Sequence, residues 1–176
     1  DAQIAANMVG ARRGIDLCDK YGADLVMEVM SEFQAYSERR FRAGIAAAPD
    51  GVYYGEDFID DDGITEDPVR VRGKVTIAGD QISVDYEGTD PQVRTTLNAP
   101  LAATISATLS CVKSVLTSAD IPFNAGVTRA VDVKVPKGTV LNPNYPAPVR
   151  ARMEICYRAF NATMKALAEA VPDKVI

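Results

Sequence analysis

The chain has 176 residues, 47% of them hydrophobic and 24% charged, which is enough apolar material to bury a core as one domain, or one with a small appendage. Its net charge of −5 gives an average field that repels nucleic acid and anionic membrane surfaces, and no apolar run approaches the roughly 18 residues of a bilayer span. There is no histidine, so neither a Ser-His-Asp nor a Cys-His nucleophile system, nor an imidazole-held metal, can be built from this chain alone.

Ile4, Met8, Ala11, Ile15 and Cys18 are spaced by four and three, one stripe on a helix. Tyr21-Gly22 supplies a stop, and Asp24 offers a cap to a second helix with the stripe Val26, Val29, Met30, Phe33 and Tyr36. That helix runs on towards Ala48 and Pro49 ends it. So short a joint predicts an antiparallel helical hairpin over residues 1–48. The basic residues Arg39, Arg40 and Arg42 read as a solvated helix face.

After the turn Pro49-Asp50-Gly51 the period changes from 3.6 to 2. A strand is predicted over 52–59, followed by the acidic turn Asp60-Asp61-Asp62-Gly63. Val69, Val71, Val75 and Ile77 alternate with Arg70, Arg72, Lys74 and Thr76, and Ile82, Val84 and Tyr86 answer them across Ala78-Gly79-Asp80. That is a hairpin with one wet face. Residues 88–100 read as loop, 101–116 as a helix dense in Ala, Ser and Thr, and 118–126 as irregular. Val131, Val133 and Val135 alternate as another strand, and three prolines keep 142–148 irregular. A last helix, about 150–171, carries Met153, Tyr157, Phe160, Met164, Leu167 and Val171 on one stripe. The class is α+β: an amino-terminal helical hairpin, then, over 49–176, an antiparallel sheet packed with two further helices.

The chemistry the residues offer is sparse, and none of them is marked as catalytic. No GxxxxGK[ST] loop, GxGxxG loop or GxSxG elbow occurs, which excludes a self-contained ATPase, dehydrogenase or hydrolase of those kinds. The acidic run Asp60, Asp61, Asp62, Glu66 and Asp67 does not match a calcium loop and reads as a solvated turn. Asp85 and Glu87 sit two apart at a strand end, an exposed polar face sooner than an acid/base pair. Cys18, Cys111 and Cys156 are odd in number, widely spaced and set among apolar neighbours, as buried thiols of a reducing, cytoplasmic compartment are. Two loops stand out: Asn98-Ala99-Pro100 before a helix and Asn124-Ala125-Gly126 before a strand. An Asn amide there either holds an amide or carboxylate ligand or satisfies loop backbone groups.

Four stretches, AQIAANMVGARRGIDLCDKYG at 2–22, YSERRFRAGIAAAPDGVYYGEDFIDDDG at 36–63, VDYEGTDPQVRTTLNAPLAAT at 84–104 and DIPFNAGVTRAVDVKVPKGTVLNPNYPAPV at 120–149, together resemble the hydantoinase B/oxoprolinase family in order and spacing. The resemblance implies ATP-dependent hydrolysis of a cyclic amide (a hydantoin, 5-oxoproline or a lactam), or ketone carboxylation, or a non-catalytic subunit-interface role. It implies a hetero-oligomer with a hydantoinase A-type partner that holds ATP and Mg. A divalent metal would lie in an amino-terminal part of the subunit outside this segment, and none would be bound by the segment alone. The chain is then expected to be the middle of a longer subunit, inactive in isolation. Carried over by motif are Asn98, and Asn124 with Gly126, as substrate-facing loop positions. After Pro148 the run Val149-Arg150-Ala151-Arg152-Met153-Glu154-Ile155 departs from the Asn-Val-Glu-Thr-containing run of many hydantoinase-type members, which leaves the carboxylase branch open.

Overall fold

The computed structural model describes residues 1–175; Ile176, the last residue of the expected sheet-and-helix region, lies outside the described residues. In chain order the elements are α1 (Ala2–Tyr21), α2 (Ala23–Ala46), β1 (Gly51–Ile59), β2 (Val69–Ala78), β3 (Gln81–Asp85), α3 (Leu101–Leu116), α4 (Ala125–Thr128), β4 (Val131–Lys134) and α5 (Arg152–Ala170). A 3-10 turn, Pro172–Lys174, follows α5. No helix among the described residues is long and apolar enough to cross a membrane.

The α+β class is what the residues build, with the sheet in the order β1-β2-β3-β4. β1 and β2 pair antiparallel from Gly51↔Ile77 to Ile59↔Val69, and β2 and β3 from Lys74↔Asp85 to Ala78↔Gln81. The alternation of Val69, Val71, Val75 and Ile77 with charged residues is real: those four side chains are buried in one core with Ile82, Val84 and Tyr86. β4 departs from the expected antiparallel pattern. It joins β3 in parallel, Ile82↔Val131 to Asp85↔Lys134. Parallel neighbours need a crossover of a dozen residues or more, and the segment carrying α3 and α4 supplies it.

α5 lies across β1 and β2 on a face that takes in the later part of the expected stripe, with Leu167 buried and Phe160, Met164 and Val171 packed against the core, but not its start. Ile155, Cys156, Ala159, Ala162, Thr163, Ala166, Leu167 and Ala170 are buried, while Met153 and Tyr157 remain 51% and 54% exposed. The reason is on the sheet. Gly55 and Gly73 face each other across β1 and β2, and without side chains they let the helix backbone come close. A Cβ on Gly55 would overlap the Ala162 carbonyl oxygen and stand 2.7 Å from Ala166 N. At that spacing the helix presents the small residues Ala162 and Ala166 to Gly55.

The amino-terminal helices are present, joined at Gly22 (φ 85, ψ 138), but they do not pack as a hairpin. A reversal takes a loop of a few residues, and a single glycine leaves α1 projecting, with none of its residues buried. The stripe on α2 differs as well: Ser37, Phe41 and Ile45 are buried, whereas Val29, Met30 and Phe33 are exposed. Phe41, Ile45 and Ala48 belong to the same core as the sheet. Of the three thiols, Cys111 and Cys156 are buried, but Cys18, on the unsupported α1, is only partly so.

Gly55→Ala should lower the free energy of unfolding by about 3 kcal/mol in chemical denaturation, because helix and sheet must separate to admit the methyl group. Gly14→Ala, with nothing within 4 Å of the added Cβ, should raise helical circular dichroism and leave the denaturation midpoint where it is.

Candidate functional site

Because β3 and β4 run parallel, their carboxyl ends open on the same side of the sheet, the place where open sheets with parallel strands commonly bind ligands. The two loops that leave them, 86–100 and 135–151, are knitted together. Gln92 N donates to Gly138 O at 2.9 Å, Val140 N to Asp90 O at 3.1 Å, Ala99 N to Val140 O at 2.7 Å and Ala151 N to Thr96 O at 2.9 Å. Side chains add to this: Arg70 N donates to the Asp90 carboxylate at 2.7 Å, Asn144 N to Gln92 Oε1 at 2.6 Å and Thr104 Oγ1 to Leu141 O at 2.7 Å.

Asn98 organises this cluster. It is fully buried, its Oδ1 accepts from Val93 N at 2.9 Å, and its Nδ2 donates to Val93 O, Thr95 O and Pro148 O at 2.9, 3.1 and 3.1 Å. Both N–H groups of the amide are taken, and the side chain is closed off from solvent. Of the two readings open for an Asn in such a loop, the geometry gives Asn98 the structural one.

Asn124 and Gly126 are elsewhere. Asn124 caps α4, accepting from Gly126 N at 2.9 Å, and its Nδ2 donates to Ser37 Oγ on α2 at 2.9 Å. A Cβ on Gly126 would overlap the Gln34 carbonyl oxygen and stand 2.9 Å from its carbon, so the glycine is what lets α4 lie on α2. α4 leads into the amino end of β4, whereas Asn98 stands at the carboxyl end, with roughly 10 Å of strand between. The structure therefore does not gather the three residues into one ligand-contacting set. Asn98 orders the loops at one end, and Asn124 and Gly126 join two helices at the other.

The loop cluster also holds groups that the sequence did not single out. Arg94, Arg150 and Arg152 are exposed on it and form no ion pair among the described residues. α3 begins there at Pro100 without a side-chain cap, leaving first-turn amides for other partners. Thr95 Oγ1 is buried with no partner, an unpaired hydroxyl in a loop otherwise saturated with bonds.

The other polar candidates resolve into structural roles. Asp61 Oδ1 accepts from Gly63 N, and Asp62 Oδ1 from Ile64 N and Thr65 N, a self-capped turn whose backbone amides hold the Asp62 carboxyl below its ordinary value. Asp85 faces Lys74 at 4.0 Å and accepts from Glu87 N, so it forms no carboxylate pair with Glu87. Arg39, Arg40 and Arg42 are engaged with Glu32, Asp120 and Glu38. Asp57, 8% exposed on the helix-facing side of β1, meets Arg158, Asn161 and Lys165 of α5 at 3.1, 2.9 and 2.9 Å. Burial pushes its carboxyl up, but Lys165, Asn161 and Arg158 together outweigh that and hold it below the usual carboxylate value. Among the described residues no three Asp, Glu or Cys side chains converge as metal ligands would.

The family model described as hydantoinase B/oxoprolinase matches residues 1–176. The B subunit of a putative D-/L-hydantoinase from Pseudomonas sp. (strain NS671) is 37% identical over 185 residues, 99% of this chain and 31% of that protein. The crystal structure of the ATP-dependent caprolactamase from Pseudomonas jessenii superposes with a TM-score of 0.90 at 31% identity, over 98% of this chain and 30% of that one. A nucleotide-free acetone carboxylase shares the fold, with a TM-score of 0.78 at 18% identity over 91% of this chain and 24% of that one. The chain thus spans about a third of the length of the hydantoinase and caprolactamase relatives that it matches.

Asn98→Ala should cost about 3 kcal/mol, since it frees one buried amide N–H and three carbonyls of the loop cluster, and urea denaturation will show the loss. For Asp57 the sign is set by its depressed value. Its contribution is complete above the ordinary Asp pKa of about 3.9 and disappears as pH falls through the folded-state value. Thermal melts between about pH 6 and pH 2 should therefore show a steeper acid loss for the natural chain than for Asp57→Asn; parallel curves would refute this.

Proposed function

The chain belongs to the hydantoinase B/oxoprolinase family, and from that premise we propose that it forms one wall of the substrate site in a subunit of an ATP-dependent cyclic amidohydrolase. The observation that carries this reading is the likeness to the ATP-dependent caprolactamase, which runs over nearly the whole chain. A cyclic amide is a stable electrophile with a poor leaving group, and activating its oxygen at the expense of ATP is what makes hydrolysis feasible.

In this reading the nucleotide and its Mg are held by a hydantoinase A-type ATPase partner, since this chain has no phosphate-cradling loop. A divalent metal would be held by residues outside 1–176, and no step is assigned to it. What this chain contributes is placement. Asn98 freezes the loops 86–100 and 135–151, and their rim presents Arg94, Arg150 and Arg152 to an anionic or oxygen-rich ligand. Electrostatic help of this kind works because the donors are fixed before the reaction begins. The hetero-oligomeric assembly is supported by a relative that is itself one subunit of an enzyme.

In the assembled enzyme carrying these residues, a hydantoin, 5-oxoproline or a lactam should stimulate phosphate release without added bicarbonate. Arg94→Ala should raise KM several-fold with kcat changed less, and Asn98→Ala should lower kcat/KM at least tenfold. Phosphate release that requires both a ketone and bicarbonate would reject the hydrolase reading in favour of a carboxylase.

A further inference from the structure

The largest feature that neither the core nor the loop cluster uses is the amino-terminal arm, α1 with the first half of α2. Its apolar side chains repeat on one face of α1, yet Met8 and Ile15 are 69% and 61% exposed, and Phe33 on α2 is 51% exposed. Most helix stability in proteins comes from packing of an amphipathic face, which α1 lacks here, and α1 carries Gly10 and Gly14 in its interior, each worth about 1 kcal/mol against it. A face of this size on a helix that buries nothing calls for a cover.

We propose that this arm is a docking surface whose occupant is polypeptide of the same hydantoinase B-type subunit, lying outside the segment 1–176. Two observations select that occupant. The caprolactamase chain superposes over 98% of this one, leaving too few residues outside the match to omit the arm, so an arm of this geometry exists in a crystal structure. That chain is also about three times as long, and the 70% outside the match is available to cover it. The inference rests on family membership alone and not on the amide-hydrolase reading.

The test reads contact and not turnover, so its failure and that of the functional reading are distinct. This chain is transplanted in place of the matching segment of the caprolactamase subunit, and a photo-crosslinking amino acid is placed at Met8 or at Met30. The expected result is crosslinking within one chain, to host residues outside the transplanted segment, at least fivefold stronger than from Arg13 on the opposite face of α1. A covalent dimer, a crosslink to the ATPase partner, or equal labelling from Arg13 would each overturn the proposal. A second measurement does not depend on the chimera: light scattering of the 176-residue chain should give a monomer at low micromolar concentration. A dimer that Met8→Asp dissociates would assign the arm to a second copy and overturn the proposal as well.

Discussion

The close approach of α5 to the sheet at Gly55 and Gly73 is the contact on which the rest of the fold depends. A facing pair of glycines removes two side chains from the middle of the β1–β2 ladder, and the alanine face of α5 occupies that space. Backbone lies against backbone, so the helix has one depth and little freedom to rotate. Tyr86 of the following segment then reaches α3 and α5 together, its hydroxyl 2.6 Å from Thr108 Oγ1 and 2.9 Å from Thr163 Oγ1. Burial pushes that phenol up to about 12, so it stays a neutral hydrogen-bonding pin at any physiological pH. Three elements are thereby locked at one point by a buried hydroxyl network that continues into the helix carbonyls of Thr104 and Ala159.

That platform sets the position of the loop cluster. The parallel placement of β4 beside β3 exists because the crossover through α3 returns the chain to the same end, and α3 is held by Thr108 on one side and by Thr104 against Leu141 on the other. The carboxyl ends of two strands, the start of α3 and the approach to α5 then coincide. Loops of this length are ordinarily mobile. Here one buried amide, Asn98, joins residues 93, 95 and 148 across both of them. Preorganisation is obtained from a residue whose amide is buried and bonded to the backbone of both loops.

Much of this was legible in the sequence, and the rest was hidden for identifiable reasons. The β2–β3 hairpin and α3 could be read because alternation and composition report burial directly. The α5 stripe held from Phe160 to Val171 and failed at its start, where Met153 and Tyr157 are exposed and Ile155, Cys156 and Ala159 take the buried positions, because periodicity weighs size and the close approach at Gly55 favours small residues. The relation of α1 to α2 was hidden because a glycine stop signals the end of a helix and not the direction of the next. The parallel pairing of β4 could not be read from three alternating valines, which fit either direction. For the site, the motifs pointed at Asn98, Asn124 and Gly126, and in the structure all three make close contacts within the fold. No local pattern shows that an amide will find its partners fifty residues away at Pro148, or that Asp57 will face three residues of α5 about a hundred residues further on.

Charge distribution supplies the last step. A chain with a net charge of −5 would repel any ligand that becomes phosphorylated, were its charges spread evenly. They are not. Asp57 is matched by Arg158 and Lys165, and Glu38 by Arg42 and Arg129, so the carboxylates near the core are largely neutralised locally. Among the cations without an ion pair, Arg94 and Arg150 stand on the loops 86–100 and 135–151, and Arg152 opens α5 beside them in the chain. Screening confines fields to about 10 Å at ordinary ionic strength, so a ligand at that rim would meet these guanidiniums together with the neighbouring carboxylates Glu87 and Glu154. By joining the two loops, the Asn98 amide fixes the backbone that carries Arg94 and Arg150.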